Sequence, residues 1–210
     1  MVLVGVGVGE IVIVAVGSLV ISLGAAYGLN RYRFKYSGNL GSYILSTRIA
    51  PPMVVAVPFY LISRKLGLFD SHILLILIYL CTNLSFSVWI LQGYLRRIPV
   101  ELDEAALVEG CTRWQILLKV IMPNLSPGLI ATGIMSFIFS WNEFFFASLL
   151  TVTNSKTLPV GVAGYFSMAG MRWDEITAAG IIASLPLLSL GLLVHKRFVA
   201  GLLGGALKES

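Results

Sequence analysis

The chain has 210 residues, of which 57% are hydrophobic and 12% charged, with a formal net charge of +5 and a mean hydropathy of +0.89. Soluble domains carry roughly 25% charged residues, so the composition excludes a water-soluble globule and points to an all-α, polytopic transmembrane helix bundle. The basic excess is scattered over short loops and gathers on no soluble face, which argues against nucleic-acid binding.

Five apolar runs are each long enough to cross a hydrocarbon core about 30 Å thick. The first spans 3–29. Its Gly5, Gly7 and Gly9 have spacing reminiscent of a dinucleotide fingerprint but no βαβ unit around them, and Gly24 and Gly28 have the spacing of close helix contact. The run lacks the basic leading region of a cleaved signal peptide. The second run, 40–62, carries Arg48 and is interrupted by Pro51, Pro52 and Pro58, where a kink or a break requires other groups to satisfy the freed carbonyls. The third, 73–95, contains Asn83 and Ser85, which either line a passage or bond a neighbouring helix. The fourth, 125–152, places Asn142 and Glu143 roughly 27 Å from its start at 1.5 Å per residue. A carboxylate there either faces a water-filled cavity or snorkels to the interface beside Trp141. Arg48, about 12 Å from the start of its own run on the same side, is expected not to pair with it. The fifth run is 176–199.

Lys and Arg alternate between the connections. Segments 31–35, 96–119 and 196–208 hold ten of them, whereas the intervening segments hold Arg64, Lys65, Lys156 and Arg172. The positive-inside rule puts the first set and the carboxyl terminus in the cytoplasm, with the start of the first run outside. A first helix so oriented inserts as a reversed anchor or follows an earlier helix. Cys81 falls in a span and Cys111 in a loop, with no metal-ligand neighbours. His72 and His195 fall at opposite faces and form no joint site. No phosphate-loop motif is present, so no ATP-binding site is expected in this chain.

The connection 98–123 carries start and stop signals for two short helices. Pro99 suits a first turn, and Glu101, Asp103 and Glu104 favour the positive end of a helix dipole. Gly110 suits a left-handed cap, and Thr112 with Gln115 has capping-box spacing for a second helix reaching Ile121, before Pro123. Physics alone leaves a passive connector, an amphipathic surface helix and a docking element all open. Ala105 and Ala106 are small enough for another surface to approach, and the acidic residues disfavour anionic lipid.

Glu104-Ala105-Ala106, Gly110 after three residues, then Val120, Met122 and Pro123 resemble the EAA loop of type I ABC importer permeases, with Val120 and Met122 departing conservatively from its Ile and Leu. Thr47-Arg48-Ile49-Ala50-Pro51-Pro52, Ser140-Trp141-Asn142-Glu143-Phe144, Thr157-Leu158-Pro159-Val160-Gly161 and the segment 201–208 resemble the carbohydrate branch, the relatives of the maltose-transporter small permease. The likeness implies a multi-pass inner-membrane permease whose coupling helix docks on a cytoplasmic ABC ATPase dimer. It also implies a second permease subunit, an extracytoplasmic solute-binding protein and a carbohydrate solute, with ATP and Mg bound by the partner ATPase and no cofactor or metal in this chain. The family normally has six spans, so one type-1 transmembrane domain lacking the first family helix is expected. In this reading Glu104, Ala105, Ala106, Gly110, Val120, Met122 and Pro123 couple to the ATPase.

Asn83, Ser85, Asn142 and Glu143 are the passage candidates. The connection 153–175 combines glycines with apolar and aromatic residues, and Tyr165, Phe166, Ser167, Met168, Ala169, Gly170, Met171 and Arg172 are the candidates for binding-protein contact. A re-entrant plug is the alternative for that segment. An ion-gradient-driven secondary transporter and a non-transporting membrane subunit also remain open. The topology is directly testable: a cysteine at Ser155 is expected to react with an impermeant thiol reagent in intact cells and one at Ser210 only after permeabilisation, and the reverse pattern would invert the orientation.

Overall fold

A peptide group in hydrocarbon has no water to bond, so a chain of this composition has to satisfy its backbone within each segment. The computed structural model does this with helices joined by short turns. It describes residues 2–32, 37–167, 170–171 and 173–206, with side chains over 7–32, 39–165 and 173–192. The chain divides into two compact units, Met1–Lys156 and Thr157–Ser210.

In the first unit, α1 (Val2–Arg31) and α4 (His72–Leu95) are unbroken and long enough to span. Ser71 starts α4 by accepting the Leu74 amide at 3.3 Å, an N-cap bond. Between them, α2 (Ser37–Ser46) runs through a 3-10 turn, Thr47–Ile49, toward α3 (Pro52–Lys65). The two halves of this run are bent by 86°. The bend arises from the two prolines: Ala50 precedes Pro51 and is forced into extended backbone (φ −60°, ψ 125°), and Pro52 suits a helical first turn.

The connection 98–123 folds as α5 (Glu101–Val108), α6 (Arg113–Gln115), a π-helical segment Ile116–Ile121 and α7 (Met122–Asn124). The fourth run is not one helix. α8 (Ser126–Trp141) stops, residues 142–144 leave helical pairing, and α9 (Phe145–Leu150) restarts.

α4 is the central element, packed along α1 and α8. Leu75 and Leu91 on it are fully buried. The α4–α8 seam is partly polar, with Ser87 Oγ and Ser136 Oγ 3.2 Å apart and Asn83 Nδ2 donating to Ser140 Oγ at 3.0 Å. The helices come close at Gly128, where a Cβ would lie 2.7 Å from Cγ of Tyr94. By contrast, a Cβ on Gly24 or Gly28 meets nothing within 4 Å, so that spacing makes no close contact among the described residues.

The second unit contains α10 (Leu158–Ala163), a two-residue antiparallel pair of β1 (Phe166–Ser167) and β2 (Gly170–Met171), and α11 (Trp173–Ala206). Its window Trp173–Leu192 is apolar enough to span. Residues 113–124 and α8 form a second bent pair, at 81°, and counting each bent pair as one span gives up to five among the described residues.

Ser155 is buried and hydrogen-bonded to Asp70, so exposed Asn154 beside it is the better labelling position. The α4–α8 contact has its own test. Gly128→Val is expected to cost about 1–3 kcal/mol by overpacking and to lower the melting temperature in detergent, whereas Gly24→Val leaves it unchanged; equal effects would refute the close approach.

Candidate functional site: an elbow and a cavity

α5 ends as its composition demands. Gly110 has φ +84°, the left-handed region open to glycine. Its N–H donates to Leu107 O at 3.0 Å and that of Cys111 to Ala106 O at 3.0 Å, the two bonds of a Schellman cap. Thr112 and Gln115 form the reciprocal capping box, with Gln115 Oε1 accepting the Thr112 amide at 2.7 Å. The π segment then runs up to Pro123, which has no N–H to donate, and Asn124 Nδ2 donates to Val120 O at 2.8 Å.

The elbow is fastened from beneath. Ala106, Ile116, Leu117, Ile121 and Leu125 share a core with Leu23, Ala26 and Tyr27 of α1 and Leu91 and Leu95 of α4. Arg31 Nε pairs with Asp103 Oδ2 at 3.1 Å, with side chains 4% and 3% exposed. Tyr27 donates to the same oxygen at 3.0 Å, and Arg31 Nη2 donates to Ile98 O at 3.0 Å. The last turn of α1 therefore holds both α5 and the turn leading into it.

The coupling candidates divide by direction. Glu104 and Ala105 are exposed, with Met122 and Pro123, and Val120 packs partly against the core. Ala106 is buried, so its small size serves the chain's own core, unlike the outward role expected for both alanines. Beside them Val108 and Trp114, 89% and 71% exposed, leave an apolar surface edged by Glu101, Glu104 and Glu109.

A cavity of about 530 Å³ lies between the Thr47–Arg48 turn, α3, α4, α8 and α9. Asn83, Ser85 and Glu143 all line it, with Arg48, Ser140 and Phe146. Asn142 does not; it is exposed and its Nδ2 donates to Ile138 O at 2.9 Å. Asn83 bonds Ser140 and the Tyr79 carbonyl, and Ser85 Oγ lies 3.0 Å from Thr47 Oγ1. Glu143 uses both oxygens on α9, accepting the amides of Phe146 at 2.8 Å and Ala147 at 3.1 Å. Arg48 lies 4.6 Å and 5.0 Å from the ring centroids of Phe139 and Phe86, a cation–π arrangement. Arg48 and Glu143 thus share a cavity although counting along straight spans puts them at different depths, and among the described residues no ion pair joins them.

Of the candidates for binding-protein contact, Met168, Ala169 and Arg172 lie outside the described residues. Phe166, Ser167, Gly170 and Met171 are described in backbone only, as the β pair, and Tyr165 is partly buried in the turn before it.

Three features were missed in the sequence. One is the Arg31–Asp103 tether. Another is a contact between the carboxylate of Glu10, buried in α1, and the His72 ring at the start of α4. The third is Asp70, in the α3–α4 connection, which binds residues 152–155. Burial alone would raise the Asp70 pKa, but the amides of Val152, Asn154, Thr153 and Ser155 outweigh it and hold the carboxyl well below the usual carboxylate range. A depressed carboxyl contributes stability that is present above its unfolded pKa and lost only as pH falls through the folded value. Glu10 had a local signal, a lone carboxylate within an apolar run; the other partners lie too far apart in sequence to have one.

A family model described as "Binding-protein-dependent transport system inner membrane component" matches residues 18–203. The chain is 35% identical over 195 residues to the diacetylchitobiose uptake system permease protein DasC of Streptomyces coelicolor, covering 91% of this chain and 70% of that protein. It is 34% identical to the trehalose/maltose transport system permease protein MalG of Thermococcus litoralis, covering 93% and 71%. In fold it is similar to a chain in the crystal structure of a bacterial ABC transporter involved in import of the acidic polysaccharide alginate, with TM-score 0.78, 23% identity, and coverage of 92% of this chain and 73% of that one.

The tether makes a testable demand. Arg31→Met leaves Asp103 buried without its cation and is expected to destabilise by about 3–5 kcal/mol, read as a lower melting temperature in detergent. Adding Asp103→Leu is expected to recover part of the loss; a double variant no more stable than Arg31→Met would remove the ion pair as the cause.

Proposed function

The chain belongs to the binding-protein-dependent transport system inner membrane components, the permease subunits of ABC importers, and we propose that it moves a carbohydrate using ATP hydrolysed by a separate cytoplasmic subunit. The observation that carries the coupling half of this reading is the elbow. It is fastened to α1 and α4 by a buried ion pair and a shared core, and presents Glu104, Ala105, Val108 and Trp114 outward. Such a surface suits the groove of an ATPase dimer, with ATP and Mg held there. Force applied to α5 reaches α1 through a buried ion pair and α4 through a packed core.

The passage half rests on the cavity. Aromatic walls and a few placed donors and acceptors are what a polyhydroxylated solute requires: ring faces against its C–H surface, and Asn83, Ser85, Arg48 and Ser140 toward its hydroxyls. Carbohydrate is favoured because relatives carry such names, DasC for diacetylchitobiose and MalG for trehalose and maltose. A second permease subunit completes the pathway, and an extracytoplasmic binding protein delivers the solute to the side of 153–175. The elbow and carboxyl terminus are cytoplasmic, as the distribution of Lys and Arg supports.

Gly110→Val forces a β-branched residue into the left-handed region, at a cost of about 1–2 kcal/mol. That is small for the bundle but comparable to a typical coupling free energy of about 1–3 kcal/mol. Gly110→Val and Glu104→Lys are expected to reach the membrane at normal levels, to recover less ATPase on co-purification and to lower hydrolysis stimulated by loaded binding protein. Wild-type values in both would make the elbow a passive connector.

A further inference from the structure

α9 has six residues, too few to hold a helix in place by its own hydrogen bonds, yet it forms a wall of the cavity. Phe146 lines the cavity and meets Phe59 edge to face, with centroids 5.9 Å apart, while Ala147 and Leu150 are fully buried. The position of this wall depends on what holds its two ends. Glu143 holds the start.

Asp70 holds the exit. Its N–H donates to the Leu150 carbonyl at 3.1 Å. Its Oδ1 accepts the amides of Val152 (2.9 Å) and Ser155 (3.3 Å) and the Ser155 hydroxyl (3.1 Å). Its Oδ2 accepts the amides of Thr153 and Asn154, both at 3.1 Å, and the Thr153 hydroxyl at 3.5 Å. Four consecutive residues leaving α9 therefore converge on one carboxylate more than 80 positions earlier in the chain. Asp70 has φ 57°, the only positive value at a non-glycine among the described residues, and such a conformation persists where its surroundings over-determine it.

We propose that Asp70 is a positioning residue for transport: it clamps the exit of α9 and thereby fixes the wall of the cavity on the side that receives solute. This rests on the importer reading and on a cytoplasmic elbow. Asp70 does not line the cavity, so its effect on solute passes through α9.

The test uses the assembled transporter in proteoliposomes, with Cys81 and Cys111 replaced by serine and Leu150→Cys as reporter. Asp70→Gly keeps the left-handed backbone accessible while removing the carboxylate. The Leu150→Cys thiol is expected to react with a maleimide at least about tenfold faster when Asp70→Gly is added, reporting local opening. Without the reporter, Asp70→Gly is expected to lower several-fold the hydrolysis stimulated by binding protein loaded with maltose, trehalose or diacetylchitobiose, with unstimulated hydrolysis and membrane level unchanged. A merely structural role would scale both activities together with the amount of protein.

Should Asp70→Gly not reach the membrane, Asp70→Asn, which keeps one acceptor oxygen, is expected to show both effects at intermediate size. Unchanged labelling overturns the clamp. Faster labelling with an unchanged ratio of stimulated to unstimulated hydrolysis overturns its part in transport. A wild-type transporter stimulated by none of the three sugars counts against the carbohydrate reading, and the labelling comparison then decides the clamp alone.

Discussion

Backbone groups in hydrocarbon must be satisfied by protein, and two of the places where helix is interrupted in an apolar run, Ala50–Pro51 and 142–144, border the same cavity. At Ala50–Pro51 the prolines remove donors and turn the chain. At 142–144 the break exposes the first amides of α9, and Glu143 accepts two of them. Irregular backbone at membrane depth is tolerated where it lines a cavity or is buried in protein. The same interruptions open space between α3, α4, α8 and α9 and place polar side chains around it.

The elbow obeys a different constraint. It lies at the ends of the spans, where charge is less costly, and it uses charge for attachment: Asp103 faces inward to Arg31 and Tyr27 while Glu104, the next residue, faces out. One helical step of about 100° separates the residue that anchors from the residue available to a partner. On the proposed coupling, close spacing of anchor and contact leaves no loose segment between the outer face of α5 and α1.

Local signals were legible and long-range ones were not. Gly110, Thr112 and Gln115 act on backbone within a few residues, so their caps could be read from spacing alone. The apolar runs were legible because their length answers to bilayer thickness. Glu143 was placed by counting along one uninterrupted helix, and the break that gives it a cap to make was invisible to that count. Gly24 and Gly28 offered a small surface without saying what lies opposite, and the close approach was made at Gly128, whose partner Tyr94 is on another helix. Arg31 and Asp103 are 72 residues apart, and no periodicity connects them.

The π segment Ile116–Ile121 sets the phase of the chain. In an α-helix residues five apart point about 140° away from each other, so Ile116 and Ile121 could not both face one core. With i to i+5 pairing, five residues make a little more than one full turn, and both side chains are fully buried on the same side as Leu125. The segment is equivalent to one residue inserted into an ordinary helix. Deleting one residue between Ile116 and Ile121 would leave them four apart in an ordinary α-helix, about 40° from each other, so the core would keep its phase; forcing all six residues into α geometry would instead turn Ile121 and Leu125 about 100° away from α1 and α4. The core therefore constrains length and pairing together: six residues from Ile116 to Ile121 need the i to i+5 bond, and five would need the i to i+4 bond.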